Sequence, residues 1–123
     1  MSRNRLTFLE NMLEGLGHAQ EFTSGITRDE FVVDRRTFYA VMKAFEIVGE
    51  AAKHIHPEVR ARHADVDWRG LAGFRDILTH SYFYFSVDPK IVWNLAVQDS
   101  VQAHRQLKIV LTAESDGSSR EAP

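Results

Sequence analysis

Residues 38–55 carry apolar side chains at alternating steps of three and four residues. The positions are Phe38, Val41, Phe45, Val48, Ala52 and Ile55. This spacing places all six side chains on one stripe of an α-helix, the seven-residue pattern of a helix that packs in a bundle. Such a stripe is stable only when other helices cover it. The pattern therefore predicts an all-α bundle with this segment at its centre.

Three further main helices are predicted from the rest of the chain. Leucines at steps of three and four predict an amphipathic helix over about residues 4–22; they are Leu6, Leu9, Leu13 and Leu16. A third helix is expected over about residues 69–83. A last helix over about residues 89–112 would present Ile91, Leu95 and Leu107 to the core. With short helical segments in the connections, we predict an antiparallel bundle of four main helices plus short helical segments.

Capping residues mark where these helices begin and end. Thr27 followed by Glu30 has the form of a capping box, and Asp34 is suited to open the long central helix. Pro57 stops that helix, because the residue before a proline is pushed away from helical angles. Asp88 before Pro89 is a strong signal for the start of the last helix.

Length and composition limit the class of protein. The chain has 123 residues and a net charge of −2, and we predict one domain over residues 1–112 with a polar, disordered tail over residues 113–123. A pI of about 6.3 argues against a protein that coats nucleic acid through a basic face. There is no cysteine, which excludes disulfides and thiolate chemistry and fits a cytoplasmic protein. We expect no secretory leader and no membrane span.

The sequence from Arg75 to Tyr82 has the pattern R-x4-H-x-Y. On a helix, Asp76 and His80 are neighbours one turn apart, so the carboxylate can accept a ring N–H and leave the other imidazole nitrogen free as a base or an acid. Arg75 lies about 140° around the helix from His80. One copy would converge poorly on a single phosphate, whereas two copies across a symmetric dimer could line one cleft.

A plain structural interpretation remains open at this point. An Asp–His pair on an exposed helix is usually a modest contact between neighbouring turns, and Arg69 and Arg75 could be solvated charges. Two other clusters predict no metal site. His54 and His56 point to opposite sides of a helix, and His63 lies further along the chain. Glu46, Glu50 and His54 form a stripe on one helix, but a di-metal centre in a bundle needs paired Glu-x-x-His motifs and the sequence offers no second set of ligands. We predict no cofactor.

The order of segments resembles the HepT-like toxins of the HEPN superfamily over roughly residues 3–112. The matching pieces are ITRDEF at 26–31, DRRT at 34–37, IVGEAAK at 47–53, WRGLAGFRD at 68–76, HSYF at 80–83, VD at 87–88 and IVW at 91–93. The resemblance implies a HEPN-type bundle and a homodimer with its active cleft at the interface. It also implies a metal-independent endoribonuclease toxin paired with a nucleotidyltransferase antitoxin.

The resemblance assigns roles by position. Arg75 and His80 match the catalytic pair, Asp76 fills the polar position after the arginine, and Tyr82 matches the tyrosine that the antitoxin modifies with AMP. Residues 84–86 make the link to the last helix two residues longer than is usual in the family, so Tyr84 is a second candidate for modification. The alternative function is a non-catalytic HEPN subunit that binds nucleotide or scaffolds a nucleotidyltransferase.

Overall fold

A computed structural model describes the backbone of residues 3–80 and 87–121 and the side chains of residues 6–74 and 87–116. The helices, in chain order, are α1 (Arg3–Thr23), α2 (Arg28–Val33), α3 (Arg35–Lys53), α4 (Pro57–Arg62), α5 (Trp68–His80), α6 (Pro89–Asn94) and α7 (Ser100–Glu121), with a π-helical segment (Leu95–Asp99) between the last two. The described residues contain no strand. The predicted all-α architecture, four main helices plus short helical segments, is confirmed.

The predicted central helix is α3, which packs against both α1 and α5. Its six predicted core residues are all buried, from Phe38 at the start to Ile55 just beyond the end. The ring of Phe8 in α1 stacks on His54 after α3, and Gly15 faces Val48. These contacts pair the beginning of α1 with the end of α3, so the two helices run antiparallel.

The predicted capping residues are also confirmed. The Thr27 hydroxyl accepts the N–H of Glu30 at 3.1 Å, while the Glu30 carboxylate accepts the N–H of Thr27 at 3.0 Å. Asp34 accepts the backbone N–H of Thr37 at the start of α3, and Asp88 accepts that of Lys90 at the start of α6. Local sequence therefore sets where these helices begin.

The last helix differs from its prediction in its buried residues and in its regularity. Ile91 is 57% exposed, and the neighbouring Val92 is buried in its place. The wider turn of the π-helical segment Leu95–Asp99 then shifts the helical register before α7 begins, and Leu107 is fully buried as predicted.

The helix also runs past the predicted domain boundary at residue 112 and continues to Glu121. Glu114, two residues beyond that boundary, is a buried residue of α7. Within the two described stretches of backbone, none of the helices combines the length and apolar character that a membrane span requires.

Candidate active site

Helix α5 carries the predicted catalytic motif, and its first half is fixed against the core. The Asp67 carboxylate caps the helix by accepting the N–H of Gly70 at 2.9 Å. Trp68 and Leu71 are buried. The Phe74 ring packs against Phe45 of α3 with ring centres 4.9 Å apart. The backbone that leads into the motif is thus held on α3 by apolar contacts.

The predicted site residues occupy the second half of α5 and the segment after it. Arg75, Asp76 and His80 lie on the α-helical backbone of α5; their side chains fall outside the described part of the structure, as do Tyr82 and Tyr84 entirely. The helical backbone keeps position 76 one turn before position 80, and keeps position 75 about 140° around the axis from position 80.

A cleft of about 370 Å³ lies beside α5, between the connection before it, the π-helical segment and α7. Its floor includes Leu16, Leu71 and Phe74, and its rim carries Asp65, Asp67 and Asp99. Three carboxylates around an opening disfavour a phosphate backbone, because they raise the negative potential there. The described lining of this cleft therefore does not favour the RNA binding that the resemblance implies.

The polar stripe of α3 lines a second groove, of about 380 Å³, between α1 and α3. Glu46, Glu50 and His54 lie along it with Lys43 and Asn11. The His54 ring stacks on Phe8 with ring centres 4.8 Å apart, and its Nε2 is 3.4 Å from Glu50 Oε1. The stripe thus combines helix–helix packing with exposed polar groups.

The three histidines considered for a metal site have three separate contacts. His54 stacks on Phe8, the Nδ1 atom of His56 accepts the N–H of Glu58 to cap α4, and His63 contacts Glu114 on α7. Among the residues whose side chains are described, no cluster of histidines and carboxylates has a geometry that could hold a metal ion.

Glu114 is a functional candidate that sequence reasoning missed. Its carboxylate joins α7 to Arg62 and His63 at the end of α4. The partners are separated by 51 and 52 residues along the chain, so no local pattern of sequence could indicate the contact.

The family model for HepT-like ribonucleases matches residues 12–110, which include the whole of α5 and the R-x4-H-x-Y pattern. The chain belongs to the HepT-like ribonuclease family. The match begins inside α1 and ends inside α7, so it takes in most of the helical bundle of this HepT-like protein.

Relatives agree with the family assignment. A protein of Thermococcus cleftensis named "Probable ribonuclease HepT" is 36% identical over 99 residues, which is 80% of this chain and 88% of the relative. A protein of Methanocaldococcus jannaschii whose name assigns it provisionally to the RNases is 33% identical over 108 residues, covering 88% and 97% of the two chains. No solved structure gives a significant match.

Proposed function

We propose that this HepT-like protein is a metal-independent endoribonuclease toxin that acts as a homodimer. The observation that carries the proposal is the family match across residues 12–110, within which Arg75 and His80 have the R-x4-H spacing on one helix. Its relatives bear names of ribonucleases. The RNA is the substrate, and no cofactor takes part in the reaction.

The reaction uses a nucleophile that RNA itself carries. The 2′-oxygen forms a bond to the adjacent phosphorus while the bond from phosphorus to the 5′-oxygen breaks. The 2′-hydroxyl loses its proton and the leaving 5′-oxygen gains one, so the products end in a 2′,3′-cyclic phosphate and a 5′-hydroxyl. His80 serves as general base or acid, which is worth about 10²–10⁴-fold in rate. Arg75 offsets the negative charge that develops on the phosphoryl oxygens.

Helical geometry supports a cleft built from two chains. Positions 75 and 80 are separated by about 140° around α5, which suits one phosphate poorly when a single chain supplies both groups. A twofold axis beside α5 would bring a second motif to the same cleft. Asp76, one turn before His80, is the supporting residue that accepts a ring N–H and fixes the imidazole tautomer.

The same motif supplies a means of control. We assign Tyr82 as the residue that a nucleotidyltransferase antitoxin modifies with AMP, which places a bulky anion two residues from His80. The negative charge of this AMP group, beside the catalytic pair, repels the RNA phosphate. The Tyr82 modification would therefore silence the toxin without unfolding it.

The product ends test the proposed chemistry. Purified protein incubated with RNA in EDTA should yield fragments with 2′,3′-cyclic phosphates and 5′-hydroxyls. Fragments with 5′-phosphates, or cleavage that requires an added divalent ion, would contradict the mechanism. Nucleotide binding with no cleavage at all would favour the non-catalytic subunit instead.

A further inference from the structure

Glu114 of α7 makes a clamp with two residues at the end of α4, Arg62 and His63. The Arg62 Nη2 atom lies 2.6 Å from Glu114 Oε1, and Arg62 Nε lies 3.1 Å from Oε2. His63 Nε2 is 2.9 Å from the same Oε2 atom. Glu114 is only 5% exposed. A buried carboxylate with three such contacts is fixed in one orientation.

The charge of Glu114 determines which partner donates. The hydrogen bond from Arg62 lowers the pKa of the Glu114 carboxyl, and this effect outweighs burial, which raises it. An ionised carboxylate accepts hydrogen bonds and donates none. His63 therefore donates its Nε2–H to Glu114.

His63 connects this clamp to α5. Its carbonyl oxygen accepts the indole N–H of Trp68 at 2.9 Å, and Trp68 is the buried first residue of α5. The connection between α4 and α5 has a second contact to α7, because Gln106 donates to the carbonyl of Asp65 at 3.4 Å. A continuous path thus runs from the Glu114 carboxylate through His63 to the beginning of α5.

We propose that Glu114 is a positioning residue for the catalytic helix. By fixing His63, and through it Trp68, the clamp sets where α5 begins and so where Arg75 and His80 stand relative to bound RNA. The effect on cleavage rests on the proposed ribonuclease function; the link to Trp68 does not. Twelve residues of helix, about 18 Å, separate Trp68 from His80. Displacement by about 1 Å at a reacting group can cost about 10²-fold in rate.

Glu114→Gln tests the proposal, because it keeps the shape of the side chain and removes its charge. Asp116→Asn is the matched control: it makes the same change of charge on an exposed carboxylate of the same helix. Both are made in a Trp93→Phe background, which leaves Trp68 as the single tryptophan. Circular dichroism first establishes a temperature at which every variant is fully folded.

Two readouts at that temperature separate positioning from stability. Glu114→Gln should shift Trp68 emission to longer wavelength and lower kcat for RNA about tenfold, with KM unchanged. Asp116→Asn should change neither. Arg62→Gln leaves the His63–Glu114 contact in place and should produce smaller changes in the same direction; it replaces Glu114→Gln as the test if that variant does not fold.

The possible results have distinct meanings. Fully folded Glu114→Gln with the kcat of the parent overturns the proposal, whatever its emission. A lower kcat with unshifted Trp68 emission overturns the assigned path. If the parent protein leaves RNA intact, the ribonuclease function fails. Trp68 emission in Glu114→Gln then tests the link to α5 by itself: an unshifted emission would overturn that link, and a shifted emission would support it.

Discussion

Gly15 of α1 and Val48 of α3 lie so close together that a Cβ atom built on the glycine would stand 2.7 Å from Val48 Cγ2. The same atom would be 3.0 Å from the carbonyl oxygen of Ala44. The close packing of α1 on α3 therefore depends on a position without a side chain, which allows α1 to approach the backbone of α3.

Gly15→Ala should lower the free energy of unfolding by about 1–3 kcal/mol, because α1 and α3 have to separate to admit the methyl group. Gly17→Ala is the matched control on the same helix. The nearest atom to its added Cβ would be His104 Nε2 at 3.9 Å, so the methyl group fits without a clash. Because alanine has the higher helix propensity, the free energy of unfolding of Gly17→Ala should be unchanged or raised by up to about 1 kcal/mol. Chemical denaturation measures both variants, and equal unfolding free energies would contradict the close approach.

Asp34 should make the start of α3 sensitive to acid. Its carboxylate accepts the Thr37 hydroxyl at 2.6 Å and the Thr37 N–H at 3.1 Å, and these bonds lower its pKa below the usual value near 3.8. A lowered pKa means that the stabilisation is complete above the usual value and is lost as the pH falls through the folded-state pKa.

Thermal melts over a pH series test this cap. Asp34→Ala should lower Tm at neutral pH, and its difference from the wild type should shrink towards about pH 2. Asp34→Asn keeps an acceptor oxygen, so it should lower Tm less than Asp34→Ala does at neutral pH. A Tm difference for Asp34→Ala that stays constant across the series would show that the ionised carboxylate is not the cap.

The Glu114 carboxylate should make a second contribution to stability that is lost in acid. Because its pKa is lowered from the usual value near 4.5, its contribution is present above that pH and is lost as the pH falls through the folded-state pKa. Glu114→Gln should lower the free energy of unfolding at neutral pH by about 1–3 kcal/mol and should flatten its fall in acid. Urea denaturation at several pH values measures both effects, and an unchanged acid slope would contradict them.

The elements with local signals were predictable from sequence. The stripe from Phe38 to Ile55 identified α3 and its buried face, and Thr27, Asp34 and Asp88 marked the starts of three helices. Each of these signals depends on residues within one or two turns of one another. Apolar spacing and capping chemistry are local properties, so the sequence alone predicts them.

The parts that depend on distant contacts were not predictable. The Glu114–His63 pair joins positions 51 residues apart, and a polar sequence from residue 113 onwards gives no sign that one carboxylate is buried. Ile91 is exposed while the neighbouring Val92 is buried, and apolar spacing alone does not decide between two adjacent apolar residues. The catalytic assignments for Arg75, Asp76, His80 and Tyr82 came from the spacing of the motif and from the family resemblance, and they stay predictions.

Tyr82 should be the site of AMP addition. Co-expression with a cognate nucleotidyltransferase should add one or more AMP units to the peptide that contains it, as measured by intact and peptide mass. Tyr82→Phe should abolish the gain in mass, whereas the neighbouring Tyr84→Phe should retain it. Modification that persists in Tyr82→Phe and disappears in Tyr84→Phe would transfer the assignment to Tyr84.

Cleavage of RNA in EDTA by matched variants is the most direct test of the ribonuclease function. His80→Ala should lower kcat/KM by about 10²–10⁴-fold and Arg75→Ala by about 10²–10³-fold, with no change in Tm. His18→Ala and Arg105→Ala alter exposed residues on other helices and should cleave like the wild type. Cleavage at the wild-type rate by both His80→Ala and Arg75→Ala would contradict the assigned catalytic pair.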